Sequence, residues 1–101
     1  MKEYKVKWLD TAKEDLKNIV RYVHQLSPSL AKALAREVRK NADGLKKWPR
    51  KYPEFERIPI LRKMVVQKRA VVLYFIREDS SRVEIYHVAY AGQDIDRLID
   101  N

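Results

Sequence analysis

A chain of 101 residues with a net charge of +8 has the size of one domain, and we expect a single domain over residues 1–101. It contains no cysteine, which excludes disulfide bonds and thiolate metal sites. No apolar run approaches the roughly 18 residues of a membrane span, and the alternating charged and apolar residues at 1–5 do not make a signal-peptide core. We therefore expect a cytoplasmic protein that does not enter a membrane.

Positive charge is concentrated in the middle of the chain. Residues 32–69 contain thirteen lysines and arginines against four acidic residues, whereas residues 70–101 contain three against six. This asymmetry favours a polyanionic or acidic partner. The competing interpretation, which holds for any single residue, is that lysine and arginine merely keep helix faces in water.

The first half of the chain predicts a strand followed by two helices. Apolar and basic residues alternate over 4–8, which is typical of a strand. A helix then begins near Thr11, which has capping-box spacing with Glu14. Ser27 and Pro28 end this helix and begin another, because serine caps helices well and proline is tolerated at the first helical position. So short a connection predicts an antiparallel helix hairpin.

The second half predicts a loop, three strands and a short end. Three prolines make residues 49–59 a loop, and strands are expected at about 61–67, 70–76 and 82–89. A short helix or tail at 94–99 closes the chain. Because helices and strands are grouped separately, the fold class is α+β, with the hairpin packed on an antiparallel sheet whose last three strands form a meander.

The apolar periodicity also predicts the core. Four helix residues and three residues of the 70–76 strand should be buried between hairpin and sheet: Leu16, Ile19, Leu34, Val38, Val72, Leu73 and Phe75. Four aromatic residues are interpreted as core side chains and not as surfaces for base stacking: Tyr4, Trp8, Trp48 and Tyr74.

The element order and several local segments resemble the RelE/ParE toxin superfamily. Residues 6–16 are similar to that family's first strand running into a helix with an acidic–leucine pair, and Leu45 before Trp48-Pro49 to the end of its second helix. Residues 70–76 resemble its apolar strand with a central tyrosine. Residues 83–95 resemble its last strand and the small-residue, Gln-Asp terminus common in ParE-like members.

The resemblance implies a β-α-α-β-β-β fold and a toxin of a bacterial type II toxin–antitoxin system. RelE-like members cut mRNA in the ribosomal A site without a metal, using basic side chains, often with a tyrosine or histidine near the C-terminus. ParE-like members poison DNA gyrase. Both are held inactive by an antitoxin. We therefore expect a cognate acidic antitoxin as partner, either the ribosome with its mRNA or gyrase as target, and no cofactor.

Candidate site residues follow from the chemistry of metal-free RNA cleavage, which needs a base, an acid and cations for the phosphorane oxygens. If the protein is an endoribonuclease, the candidate catalytic residues are Lys63, His87 and Tyr90. The candidate target-binding or RNA-binding residues are Arg62, Lys63, Lys68, Arg69 and Gln93. Two histidines and no cysteine predict no metal site.

Each of the two C-terminal candidates also has a structural interpretation. His87 alternates with Val83 and Ile85, which favours its interpretation as a buried histidine with its ring hydrogen-bonded. Tyr90 is read either as a functional residue or as packing at the rim of the core. The sequence also departs from the nuclease members, because Val66 stands where many of them have arginine and residues 91–94 replace their basic and tyrosine cluster.

Three functions remain open. The first is a growth-inhibiting toxin that attacks gyrase or translation and is neutralised by its antitoxin, and the departures just described favour its ParE-like form. The second is a ribosome-dependent mRNA endoribonuclease of the RelE kind. The third is an RNA-binding module without toxicity. An intact cluster of basic residues, histidine and tyrosine favours the enzyme, and its absence favours the gyrase poison.

Overall fold

The structure is a computed structural model that describes residues 2–91 and 95. The candidate residue Gln93 lies outside the described residues, as does nearly all of the helix or tail expected at 94–99. The elements, in chain order, are β1 (Lys5–Trp8), α1 (Asp10–Leu26), α2 (Pro28–Asp43), a 3₁₀ turn (Gly44–Lys46), β2 (Glu54–Phe55), β3 (Ile58–Val66), β4 (Ala70–Arg77), a second 3₁₀ turn (Glu78–Ser80) and β5 (Arg82–Tyr90).

The predicted order of strand, two helices and three strands is confirmed, with one addition. The short strand β2 lies inside the segment that the prolines marked as a loop, and it pairs with the start of β3. Two residues are too few to show a strand periodicity in the sequence, which is why the pattern missed it.

The five strands form one mixed sheet in the order β1-β5-β4-β3-β2. The meander of β3, β4 and β5 is antiparallel, as predicted, but β1 lies parallel to β5. Val6 pairs with Val83 and Trp8 with Ile85. The expectation of a wholly antiparallel sheet is therefore wrong. A single strand pattern carries no information about its direction relative to a partner more than seventy residues away.

The helix hairpin begins differently at its two helices. Ser27 caps α2 as predicted, because its hydroxyl accepts a hydrogen bond from the Leu30 amide at 3.2 Å and Pro28 opens the helix. At α1 the predicted capping box does not form. The residue before the helix is Leu9, which offers no side-chain cap, and Thr11 donates instead to a carbonyl of β5.

The core lies between the hairpin and one face of the sheet, here called the helix face. Residues of both helices pack against alternate residues of the strands there, including Met64, Val72, Tyr74, Val83 and Ile85. The side chains of β4 between these residues belong to the second face of the sheet. That face carries Leu73, which is buried, and Phe75, which is half-buried.

The predicted core is thus correct for the helices and Val72 but wrong for Leu73 and Phe75, which do not lie between hairpin and sheet. The run at 70–76 is almost wholly apolar, so it gives no alternation from which the two faces could be told apart. No helix of the described residues is long and apolar enough to cross a membrane.

Candidate functional site

The free edge of β5 explains where α1 lies. β1 pairs only with the first half of β5, so the backbone groups of its second half face α1 instead. Thr11 Oγ1 donates to the Tyr86 carbonyl at 2.7 Å, and Asp15 Oδ2 accepts from the Val88 amide at 3.0 Å. The two helix side chains are four residues apart, one turn of α1, and together they replace the missing strand.

His87 lies beside this edge and is bound to Asp15. Its Nδ1 is 2.7 Å from Asp15 Oδ2, its ring is 4.4 Å from that of Tyr86, and only 9% of the residue is exposed. The carboxylate fixes the orientation of the imidazole. A general base must reach its substrate, and so little exposure leaves His87 better placed to hold β5 against α1.

A bulge in β5 determines which way His87 points. Leu73 pairs with His87 and Tyr74 with Ile85, so Tyr86 is the extra residue. Ile85, before the bulge, and Val88, after it, both pack on the helix face. The extra residue thus shifts by one position which side chains of β5 point to that face. His87 is therefore buried, as one interpretation predicted, but outside the main core.

Tyr90 lies where the sheet meets the turn between β3 and β4. It is half-buried, packs against the core and pairs with Ala70, and its ring is 6.0 Å from that of Tyr22 in an edge-to-face arrangement. The next residue, Ala91, donates its amide to the Arg69 carbonyl. The geometry supports a packing role, and it also brings Tyr90 close to the basic turn.

The basic turn itself has an unusual backbone. Gln67 and Lys68 have φ of 52° and 57°, and the Arg69 amide donates to the Val66 carbonyl at 3.0 Å. Positive φ at both central positions is the conformation of a type I′ hairpin turn, in which asparagine and glycine are preferred. Here Gln67, Lys68 and Arg69 are all exposed. The turn therefore presents two cations on a strained, sharply defined backbone.

The other two basic candidates are not gathered at this turn. Arg62 and Lys63 are neighbours on β3, so their side chains point to opposite faces of the sheet. Arg62 Nη1 donates to the Tyr52 carbonyl at 2.7 Å, and Lys63 pairs with Leu73. The structure brings together Lys68, Arg69 and Tyr90, and it separates them from Arg62 and from Lys63.

A second basic surface follows the helix hairpin. Two adjacent hollows of about 350 and 710 Å³ share Val20 and Arg39, and we call them the hairpin groove. Small or apolar side chains make up much of its lining, and none of its described lining residues is acidic. Its cations are Lys13, Lys17, Lys32, Arg36 and Arg39.

A third surface was missed by the sequence analysis. The loop after the first 3₁₀ turn exposes 55% of Trp48, which was expected in the core. Tyr4 and Tyr74 are buried and Trp8 is half-buried. The available signal was that Trp48 falls outside the helical periodicity and stands among lysines and arginines. Within the described residues, no three histidine, aspartate or glutamate side chains are grouped as metal ligands.

Comparison with known proteins identifies the family. A family model for the ParE toxin of the parDE type II toxin–antitoxin system matches residues 6–95. The chain belongs to the ParE toxin family. The match spans the hairpin groove and the basic turn, and it reaches past Gln93.

Solved structures agree on the fold of this ParE-family chain. A chain of the chromosomal ParDE toxin–antitoxin system from P. aeruginosa superimposes with a TM-score of 0.73 at 15% identity, covering 90% of this chain and 99% of that one. The RelBE2 toxin–antitoxin complex from Mycobacterium tuberculosis gives 0.62 at 22% identity, covering 92% and 97%. At these identities the likeness concerns the fold. No curated protein matched the sequence.

Proposed function

We propose that this ParE-family toxin stops growth by binding DNA gyrase, not by cutting RNA, and that an acidic antitoxin neutralises it. Gyrase as target is what the resemblance to ParE-like members implies. The observation that carries the choice is the burial of His87, of which only 9% is exposed. Its Nδ1 lies 2.7 Å from Asp15 Oδ2 and helps to hold α1, and the burial keeps a substrate from reaching this candidate proton-transfer group.

The remaining candidate residues also lack the arrangement of a ribonuclease. Cleavage requires a base, an acid and cations around one phosphate. Tyr90 packs against Tyr22, and Arg62 and Lys63 lie on opposite faces of β3. Such dispersal supports a surface that recognises its target by shape and charge. Lys68 and Arg69, exposed on the strained turn, are the residues we assign to that contact.

The hairpin groove supports the antitoxin partner. An amphipathic helix places its apolar residues into a groove and its charged residues along the rim. Here the rim is basic on both sides, so an acidic amphipathic segment is complementary in charge.

Induced expression in a bacterium without a cognate antitoxin tests the target. Growth should stop, plasmid supercoiling should fall, and primer extension should show no new cuts in translated mRNA. The variant Lys68→Glu with Arg69→Glu should lose toxicity while keeping its far-ultraviolet circular dichroism, because both side chains are exposed and exposed side chains carry little folding energy. Growth arrest with mRNA cuts at the ribosomal A site and unchanged supercoiling would make the protein an endoribonuclease.

The antitoxin proposal is tested separately. Co-expression with the small acidic protein encoded beside the toxin should restore growth. Arg36→Glu with Arg39→Glu should weaken that rescue but leave toxicity unchanged, because these residues line the groove and not the turn. Full rescue of this variant at the same antitoxin level would place the antitoxin elsewhere on the toxin.

A further inference from the structure

The exposed Trp48 lies in a pocket that the proposed function does not use. An open hollow of about 650 Å³ surrounds it, and the lining is basic and aromatic: Lys2, Tyr4, Lys47, Trp48, Pro49, Arg50 and Lys51. None of these described lining residues is acidic. Because tryptophan is highly buried on average, a ring that is 55% exposed among cations is a candidate binding surface.

The loop that carries Trp48 is firmly held from below. The Tyr74 hydroxyl, buried in the core, donates to the Pro49 carbonyl at 2.6 Å. The Tyr4 amide donates to the Lys46 carbonyl at 2.9 Å, and the Trp48 amide donates to the Gly44 carbonyl at 3.3 Å. These anchors fix the backbone on both sides of the indole, so the ring is presented by a rigid support.

The cations around the ring divide into two kinds. Arg50 forms an ion pair with Glu78 and also lies 3.5 Å from the Tyr4 hydroxyl. Although desolvation acts to raise it, hydrogen bonds from Arg50 and Tyr4 lower the pKa of the Glu78 carboxyl. Arg50 is thus largely occupied by the fold. Lys47 and Lys51 are exposed and lie one residue before and three residues after Trp48. Lys51 Nζ is 5.6 Å from the centroid of the Tyr52 ring, a weak contact at an exposed site that an anionic ligand can replace.

A second hollow lies on another side of the ring. It has a volume of about 330 Å³ and shares Trp48 and Lys51 with the first. Its other lining residues are Lys40, Asn41, Gly44, Tyr52 and one acidic residue, Glu37. Trp48 therefore stands between two concavities, with cations in each. A strand of nucleic acid needs this alternation, because each base stacks on a flat ring while the phosphates on either side seek positive charge.

We propose that the loop at residues 47–51 binds single-stranded nucleic acid, with a base stacked on Trp48 and the adjoining phosphates paired with Lys47 and Lys51. An acidic peptide satisfies the lysines but leaves the indole without a stacking partner. The proposal goes beyond the proposed function and does not depend on it. It gives a toxin directed at a DNA-handling enzyme a contact of its own with an unpaired strand.

Fluorescence anisotropy with the purified full chain and a fluorescein-labelled twelve-nucleotide oligothymidylate tests this at low salt. Trp48→Ala should weaken binding by at least about 5-fold, and Trp48→Phe should retain most of it, because stacking needs a flat ring. Lys47→Ala with Lys51→Ala should flatten the dependence of log K on log salt by about 0.7 for each phosphate that the lysines no longer neutralise. Circular dichroism checks that each variant folds.

The matched control is Lys32→Ala with Arg36→Ala, which removes the same charge from the hairpin groove. It should bind the oligonucleotide nearly as the parent does. The proposal is overturned if Trp48→Ala binds like the parent, if the control loses as much affinity as the loop variant, or if duplex DNA of the same length or polyglutamate competes as well as the single strand. Gyrase inhibition is measured apart, so loss of either result leaves the other interpretable.

Discussion

Asp15 and His87 lie 72 residues apart in the chain, yet one carboxylate oxygen of Asp15 bonds both the His87 ring, at 2.7 Å, and the Val88 amide, at 3.0 Å. The contact joins the first helix to the last strand at the point where β1 no longer covers that strand. It therefore fixes the edge of the sheet. Because only 9% of His87 is exposed, a substrate does not reach this candidate proton-transfer group.

Replacing Asp15 by alanine should lower the free energy of unfolding by about 1–3 kcal/mol, because two nearly buried donors lose their acceptor. The matched control is Glu14→Ala, one residue earlier on α1 and exposed, which should change stability by no more than about 0.5 kcal/mol. Urea denaturation measures both. Equal stability of the two variants would show that the contact does not hold the edge.

The basic turn predicts opposite effects on stability and activity. Lys68→Gly should raise the free energy of unfolding by about 0.5–1 kcal/mol, because glycine adopts a positive φ without strain. This figure already allows for the larger backbone entropy that glycine loses on folding. Toxicity should fall because the cation is removed. Lys68→Ala removes the same charge and keeps the strain, so it should lower toxicity without added stability. If Lys68→Gly keeps full toxicity, the turn does not contact the target.

Much of the fold follows from local pattern. Helical periodicity predicts α1 and α2, and Ser27 with Pro28 predicts their junction, because caps and side-chain spacing are encoded within one turn of chain. The parallel pairing of β1 with β5 and the bulge at Tyr86 were not predictable. The parallel pairing depends on a contact between distant parts of the chain. The bulge does not alter the sequence pattern of β5, because that strand has few exposed residues on either face.

The candidate site was predicted only in part. The exposed cations of the turn, Lys68 and Arg69, follow from a polar interruption between two apolar runs. The separation of Arg62 from Lys63 was available from strand alternation once β3 was assigned. For the exposure of Trp48 the sequence held only a weak signal, its place outside the helical periodicity among lysines and arginines. Whether such a residue is buried depends on which elements pass beneath the loop.

Stability at high pH should depend on Tyr74. Burial raises the pKa of its hydroxyl to about 12, against 10.0 in the unfolded chain. The contribution of the Tyr74 hydroxyl to the free energy of unfolding is therefore complete below pH 10 and is lost as the pH rises toward 12. Tyr74→Phe should cost about 1–3 kcal/mol at pH 9, where the Pro49 carbonyl loses its donor. The difference between parent and variant should shrink by about 1 kcal/mol at pH 11.

Urea titrations of both proteins at the two pH values give this difference directly. The other tyrosines and lysines that titrate in the same range are common to both proteins, so their contributions cancel. A difference that is the same at pH 9 and pH 11 would contradict a buried, protonated hydroxyl at Tyr74.

The second face of the sheet also carries stability. Leu73 is 1% exposed although it points away from the helices. Leu73→Ala should cost about 2–5 kcal/mol through reduced burial and the cavity left behind. Ile60→Ala on β3, whose side chain is 75% exposed, should cost little. If Leu73→Ala unfolds at the same denaturant midpoint as the parent, the assignment of β4 is wrong.

The proposed function requires that the toxin bind gyrase and perform no proton transfer. The most direct measurement adds the purified chain to a gyrase supercoiling reaction and, in parallel, to a cell-free translation reaction followed by primer extension. The parent should inhibit supercoiling, and His87→Gln and Tyr90→Phe should inhibit it within about threefold of the parent. Lys68→Glu with Arg69→Glu should not inhibit it, and no reaction should contain mRNA cuts. Cuts at the ribosomal A site that slow by about 100-fold or more in His87→Gln or Tyr90→Phe, with supercoiling unaffected, would contradict it.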